Sequence, residues 1–231
     1  MTTAAPPFSP QVSRKVPGNL PMLVPALASN GCGVQMRTFT VEEYHWLIAQ
    51  DFFAQDERFE LLDGLIVNKM ARDPIHDASL AASRRVLDAR LPTGWHVRVQ
   101  SAVTTGSSEP EPDLAIVRGT EFDYVSRHPG AADAELLVEV ANSSLSSDRD
   151  WKGPIYARAG FPVYWIINLV HMRVEVYTDP SGPDPAPTYR RRRDFSIGAS
   201  ILLTIANAAV APIAVADLLP PAAATPLGPQ P

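Results

Sequence analysis

The sequence predicts an α/β domain, with a mixed β-sheet core and helices packed against it. Three observations lead there. Short runs dense in Val, Ile and Leu, such as "DLAIV" at 113–117 and "LLVEV" at 136–140, have the length and composition of buried strands. Two longer segments, near 76–91 and 144–160, have helical character. The order helix, strands, helix, strands, helix, strands then favours a sheet flanked by helices over two separate layers of one kind.

Each element follows from local chemistry. "TVEEYHWLIAQ" begins with Thr40 and has Glu43 three residues on, a capping-box pattern that starts a short helix. "FELLDGLIVNKM" reads as a strand or hairpin turning at Asp63-Gly64. In "HDASLAASRRVLDARL" the apolar residues Leu80, Val86, Leu87 and Leu91 are separated by polar ones, the pattern of an amphipathic helix that Pro92 and Gly94 stop. "WHVRVQSAV", "DLAIV" and "AELLVEV" supply three strands. "SLSSDRDWKGPIYARAG" is a helix expected to be capped by Ser146 or Ser147, split or bent by Pro154 and ended by Gly160. "PVYWIINL" and "MRVEVYT" form a hairpin around Val170 and His171, and "TYRRRRDF" and "SILLTI" add further strands.

The chain's 231 residues suffice for one medium domain with a substantial core. That domain is expected over 36–219. The Pro- and Ala-rich residues 1–35 and the Pro-rich residues 220–231 are expected to be disordered tails. One cysteine, Cys32, excludes an internal disulfide and a thiolate zinc cluster, and agrees with a reducing compartment. The short apolar run after Arg14 and Lys15 is interrupted by Pro21 and Pro25, unlike an export signal. "ASILLTIANAAVAPIAVADLL" is broken by Thr204, Asn207, Pro212 and Asp217, so it reads as a buried strand plus a closing segment, not a membrane span. The expectation is a soluble, cytoplasmic protein. A net charge of −5 argues against a wholly basic nucleic-acid binder, leaving any such contact to a local patch or to metal ions.

Three carboxylates are out of keeping with their surroundings. Glu60 lies in "RFELLDG", Asp113 opens a strand after Pro112, and Glu139 sits inside an apolar strand. Burying a carboxylate is costly unless a cation meets it. If the strands are neighbours, Asp113 and Glu139 converge at one end of the sheet and Lys152 arrives from the following helix. Two or three carboxylates with a lysine suit a magnesium-dependent phosphodiesterase, since Mg2+ takes oxygen ligands and keeps several waters. A buried glutamate paired with a structural arginine gives a similar pattern.

The stretch "PEPDLAIV" with "LLVEVANSSLSSDRDWKGPIYARAGFPVYWIINL" resembles the Uma-two family of restriction-endonuclease-like proteins, placed in the PD-(D/E)XK nuclease superfamily. The match runs through Pro112-Asp113, Glu139-Val140, Ser143-Ser144-Leu145, Asp148, Lys152, Pro154, Tyr156, Gly160 and Trp165, with "FELLDGLIV" and His76 upstream. The resemblance implies a restriction-endonuclease-like fold and DNA cleavage with Mg2+ or Mn2+. It implies Asp113 and Glu139 as metal ligands, Glu60 as an additional acid and Lys152 as the catalytic lysine. Gln100 and His76 are auxiliary candidates, and DNA is the implied partner. In the superfamily motif the lysine follows the second acid by two residues, where this chain has Ala141; Lys152 must therefore act from a displaced position. Val163 and Asn168 stand where the family usually has glutamate and aspartate. A homodimer follows from fold analogy, because enzymes that cut both strands often pair about a two-fold axis.

Other readings of the same residues stay open. The fold can serve a catalytically silent binding or regulatory protein, or a hydrolase of a small phosphorylated molecule. Asp148, in the first turn of a helix, is favoured there by the backbone dipole alone and is expected to be structural. Lys69 and Arg72 are expected in solvent. Arg190–Arg193 read as a solvated edge strand in preference to a DNA track.

Overall fold

The computed structural model describes residues 37–54, 57–69 and 72–221. The expected tail 1–35 lies outside these residues, as does the expected tail 220–231 beyond Pro221. Every helix and strand falls within the compact unit Phe39–Pro231.

Helix α1 (Val41–Ala49) starts as its sequence dictates: Thr40 Oγ1 accepts from the Glu43 N–H at 3.1 Å and Glu43 returns the bond to Thr40 N–H at 3.1 Å. Strands β1 (Phe59–Leu62) and β2 (Leu65–Asn68) form the expected antiparallel hairpin. Asp63 and Gly64 turn it with φ of 48° and 78°, values a Gly adopts freely and an Asp tolerates. Helix α2 (Pro74–Asp88) is capped by Asp73, whose side chain accepts from His76 N–H.

The main sheet has six strands in the order β3-β4-β5-β6-β7-β8. They are β3 (Trp95–Val99), β4 (Leu114–Arg118), β5 (Ala134–Ala141), β6 (Val163–Asn168), β7 (Arg173–Pro180) and β8 (Tyr189–Ser196). Only β5 and β6 pair in parallel; the other neighbours are antiparallel. A parallel pair needs a crossover, and the helical segment between β5 and β6 provides it. The mixed α/β expectation therefore holds.

Alternation along the strands makes two cores. On one face Leu114, Ile116, Leu136, Val138 and Val140 join Leu80, Val86 and Leu87 of α2 and the C-terminal segment. On the other, Ala115, Val117, Leu137, Ala141 and Ile166 meet Tyr156, Ala157 and Phe161 from the crossover. Glu139 shares the parity of this second face.

The crossover is not one uniform helix. It comprises α3 (Leu145–Ser147), a π-helical turn (Asp148–Lys152) and α4 (Gly153–Ala159). Ser146 and Ser147 lie inside it and cap nothing; the chain enters at Ser144. In the π turn the Gly153 N–H reaches back five residues to Asp148 O, immediately before Pro154, which has no N–H to offer. Gly160, at φ 83°, ends the segment as expected.

Two further expectations fail. "SILLTI" is not one strand but two short ones, β9 (Ser200–Ile201) and β10 (Thr204–Ile205). β10 turns back on β11 (Ala208–Ala209), while β9 pairs with β12 (Ile213–Ala214). Positive φ at Ala206 and Asn207 makes the tight turn that folds the run on itself. Lys69 is also not in solvent: its side chain is 13% exposed and its Nζ lies 2.8 Å from Glu111 Oε2, so the cation is held by a partner. The Arg190–Arg193 run lies exposed on the edge strand β8. Arg190 and Arg191 face Asp179, Arg192 faces Asp194, and Arg193 covers the Phe195 ring. No described helix is long and apolar enough to cross a membrane.

Candidate active site

Register explains why acids from separate strands meet. β4 and β5 pair with Leu114 opposite Val138, and one residue further the same register sets Asp113 opposite Glu139. β1 and the 109–113 segment lie side by side through the Leu61–Glu109 bridge, and the Glu111 N–H donates to Glu60 Oε2 at 3.1 Å. The crossover then lays Lys152 over Glu139 from the second face. Glu60, His76, Gln100, Asp113, Glu139 and Lys152 all line one cavity of about 140 Å3.

Lys152 is the hub. Its Nζ is 3.1 Å from Glu139 Oε1 and 3.1 Å from Glu60 Oε2. The ammonium from the displaced helical position thus reaches the acid that a lysine at position 141 would have neighboured. Tyr156 OH donates to the same Glu139 oxygen at 2.8 Å. Each glutamate is therefore engaged through one oxygen. Glu139 Oε2 and Glu60 Oε1 have no hydrogen-bond partner among the described residues, and both side chains line the cavity.

Asp113 is more fully bound. Its Oδ2 accepts from Val140 N–H at 2.9 Å and from His76 Nε2 at 3.1 Å, and its Oδ1 accepts from Gln100 Nε2 at 3.2 Å. Gln100 is held in a left-handed conformation, φ 46°, where its N–H also donates to Asp113 O at 3.0 Å. A non-glycine residue in that region costs free energy and persists only where its surroundings fix it.

These contacts drive the acids apart in proton affinity. Burial pushes the Glu139 carboxyl up to about 8; Lys152 opposes this, but Asp148, Asp113 and Glu60 add to it. Burial likewise lifts Asp148 to about 6 against the pull of Lys152 and a bond from Ser144. For Asp113, burial also favours the neutral acid, yet the bonds and charge from His76, with Val140 N–H and Gln100, hold it below the ordinary aspartate value. Burial opposes charge on His76 and Lys152, but their acidic neighbours outweigh it, and both are raised above their ordinary values. The cluster carries more carboxylates than its single buried ammonium can neutralise.

Among the acids that line the cavity, Glu139 Oε2 and Glu60 Oε1 are without a hydrogen-bond partner among the described residues, and Asp113 Oδ1 keeps capacity beyond its one bond from Gln100. Oxygen donors of this kind suit Mg2+ or Mn2+. A dication would also offset the charge of Asp148, Asp113 and Glu60, which adds to the effect of burial on Glu139.

Comparison with known proteins places the chain in a family and agrees with the fold. A family model, Uma2, described as "Putative restriction endonuclease", matches residues 41–210. The chain belongs to the Uma2 family. No curated protein matches it. Among solved structures, the crystal structure of a protein titled a "putative nuclease belonging to DUF820", from Anabaena variabilis, is similar over 78% of this chain and 97% of that one. Its TM-score is 0.59 and its sequence identity 16%. At that identity the likeness speaks for the fold alone.

The Uma2 match spans every residue of the cavity cluster, including three whose part in it was not read from the sequence. Asp148 was expected to be structural. It is instead 2% exposed, lines the cavity and takes Ser144 Oγ–H at 2.6 Å. Tyr156, expected in the core, is buried there but directs its hydroxyl at Glu139. Glu111 supplies a backbone N–H to Glu60 and a carboxylate to Lys69. One sequence signal could have found the first two: Asp148, Lys152 and Tyr156 recur at four-residue spacing, so they share a helix face. His76 joins the helix cap through its backbone N–H, which donates to Asp73 Oδ1, and its ring Nε2 donates to Asp113.

Proposed function

We propose that the chain is a divalent-metal-dependent endonuclease that hydrolyses DNA phosphodiester bonds at the Lys152 cavity. The observation that carries the reading is the pairing of one buried ammonium with a surplus of buried carboxylates. Glu139 and Glu60 line the cavity, and each has one oxygen that neither Lys152 nor another described residue engages. Glu139, Glu60 and Asp113 would hold Mg2+ or Mn2+. When bound, the ion offsets phosphate charge and lowers the pKa of a coordinated water.

The chain's own residues supply the rest. Lys152, fixed by two carboxylates, presents a positive charge beside the scissile phosphate and stabilises charge that develops there. Tyr156 and Lys152 together orient Glu139 Oε1 and so aim its other oxygen. Val140 N–H, His76 and Gln100 fix the Asp113 carboxylate. Arg58, Lys69 and Arg72 border the same cavity, the first two sharing Glu111, and would supply the cations that meet a phosphate backbone there.

A silent protein of the same fold is the second reading. The observation favouring it is Asp113, whose carboxylate already accepts three hydrogen bonds. Nicking of supercoiled plasmid in Mg2+ and in Mn2+, with wild type, Glu139→Gln and Lys152→Met, separates the two. The nuclease reading expects metal-dependent nicking that both substitutions reduce by at least about a hundredfold, in line with losses on removing one preorganised electrostatic group. Metal-independent cleavage would refute it, and wild type inert in both metals while binding DNA would refute it in favour of the second reading.

A further inference from the structure

A second constellation lies outside the cavity, where His45, Glu109 and His128 converge. Their ligating atoms all fall within 4.8 Å of one another, and none of the three lines the Lys152 cavity. His45 comes from α1, Glu109 from the segment bridged to β1, and His128 from the loop before β5.

The Glu109 side chain is 2% exposed, and its ion-pair partners among the described residues are the two imidazoles. His45 Nε2 is 2.6 Å from Oε1 and His128 Nε2 is 3.5 Å from the same atom. A simple buried His–Glu pair accounts for the first ring and not the second. His128 makes no hydrogen bond to Glu109 at that distance, and its Nδ1 is buried with no hydrogen-bond partner among the described residues. His128 Nε2 is thus turned to a buried carboxylate it does not bond, an arrangement that a cation shared by both imidazoles and the carboxylate would complete.

We propose that His45, His128 and Glu109 bind a zinc ion. Two imidazoles and one carboxylate are a recognised zinc donor set, with metal–ligand bonds of about 2.0–2.2 Å and water in the fourth position. Small shifts from the present spacings bring all three donors to those distances. His45, 48% exposed at its side chain, leaves an approach for the ion and for water. The carboxylate is held for single-oxygen ligation, because Thr104 Oγ1 donates to Glu109 Oε2 at 3.1 Å. Such an outer bond orients a metal ligand.

The supports around the site are already built. The Glu109 N–H donates to Leu61 O at 2.7 Å, and Thr104 N–H donates to Pro129 O at 2.9 Å. The loop carrying His128 is tied by the Arg127–Asp133 pair and by the Gly130 N–H bond to Asp133. Zinc there would join three parts of the chain distant in sequence. One of them, Glu109, is four residues before Asp113 on the strip that also supplies Glu111 to the Lys152 cavity. The site therefore ties down the strip that carries Glu111 and Asp113.

The test uses untagged full-length protein stripped of metal. Zinc is titrated in competition with a chromogenic chelator, and Co2+ substitution is followed by its visible absorption. The expected result is one zinc per chain and a four-coordinate cobalt spectrum. Binding should weaken at least tenfold in His45→Ala and in His128→Ala and be unchanged in Asp113→Asn. Zinc should also raise the melting temperature of wild type and not that of His45→Ala. The half-exposed His45 decides the matter should His128→Ala fail to fold. Absence of zinc binding would overturn the proposal, as would binding undiminished in His45→Ala. Loss of binding in Asp113→Asn would assign the ion to the carboxylate cavity and overturn it equally.

Discussion

Glu139 and Glu175 occupy one row of the sheet: Glu139 lies opposite Ile166, and Ile166 opposite Glu175. Both are buried, at 4% and 0% exposure, and their electrostatic states are opposite. Glu175 is surrounded by donors, with Arg149 bonded to both oxygens, Asn168 Nδ2 at 2.6 Å, Tyr177 OH at 2.7 Å and Arg192 at 3.2 Å. Although burial works against its charge, those bonds lower its carboxyl to about 2. Glu139 has one shared ammonium and one phenol for the same burial, with three more acids nearby, and rises to about 8. A satisfied buried carboxylate is structure. An unsatisfied one, facing a cavity, is a place for a ligand.

The largest expected contrast is functional. Glu139→Gln should cut metal-dependent cleavage by at least about a hundredfold while changing metal-free stability by no more than about 1 kcal/mol, because the amide keeps the shape and Lys152 keeps Glu60. Cleavage rates and urea unfolding of the same preparation check both halves. A large stability loss would show that Glu139 is a structural acid like Glu175.

Glu175→Ala should show the reverse pattern. It leaves Arg149 and Arg192 without their acid, and the expected cost is about 2–3 kcal/mol. That is below the ~3–5 kcal/mol of a fully buried broken pair, because both arginines are partly solvated. A urea-midpoint shift under 0.5 kcal/mol equivalent, judged against the ordinary scatter of surface substitutions, would mean the network stabilises nothing.

The two acids also predict different pH ranges of instability. Glu139 and Asp148 have raised values in the fold, about 8 and about 6 against ordinary values of 4.5 and 3.8. Their contribution is fully present below the ordinary values and is lost as pH rises through the raised ones. Metal-free protein should therefore lose melting temperature between about pH 5 and 8, and Mg2+ should restore part of the loss. Glu175, lowered from 4.5 to about 2, contributes fully above its ordinary value and loses this as pH falls toward 2. A metal-free melting temperature that climbs steadily from pH 5 to 8 would contradict the assignment for Glu139.

The smallest effect is expected from Tyr156→Phe, which deletes one bond to Glu139 at a cost of about 1 kcal/mol. Calorimetry should show weaker Mg2+ binding by a few-fold, since the aim of the carboxylate is loosened.

How much of this was legible in the sequence follows from the range of each interaction. The capping box at Thr40, the Asp63-Gly64 turn and the Gly160 stop are local, and each appears where its residues dictate. Glu139 drew attention because an acid in an apolar strand is costly wherever the strand lies. Its partner could be one of two kinds, and only the crossover geometry makes it Lys152 while giving the arginine to Glu175. The place of Asp148 in the cavity lining could not be read, because a helix dipole already explains an acid in a first turn. The π turn that places Asp148 and Lys152 together, both buried, has no local pattern to announce it. His45, Glu109 and His128 are far apart in sequence and joined by tertiary contacts alone. Asn168, where the family resemblance suggests aspartate, makes sense only beside Glu175, which an aspartate would repel.

The central proposal is that a divalent ion binds beside Glu139, whose carboxyl is raised by burial and by the neighbouring acids. The direct test is calorimetric titration of wild type and Glu139→Gln with Mg2+, an oxygen-seeking ion that imidazole sites do not favour, in two buffers of different ionisation enthalpy near pH 7. The account predicts one Mg2+ bound with release of a proton from the cluster, and binding at least tenfold weaker in Glu139→Gln, where that release disappears. Wild type without Mg2+ affinity, or Glu139→Gln binding as tightly as wild type, would contradict it.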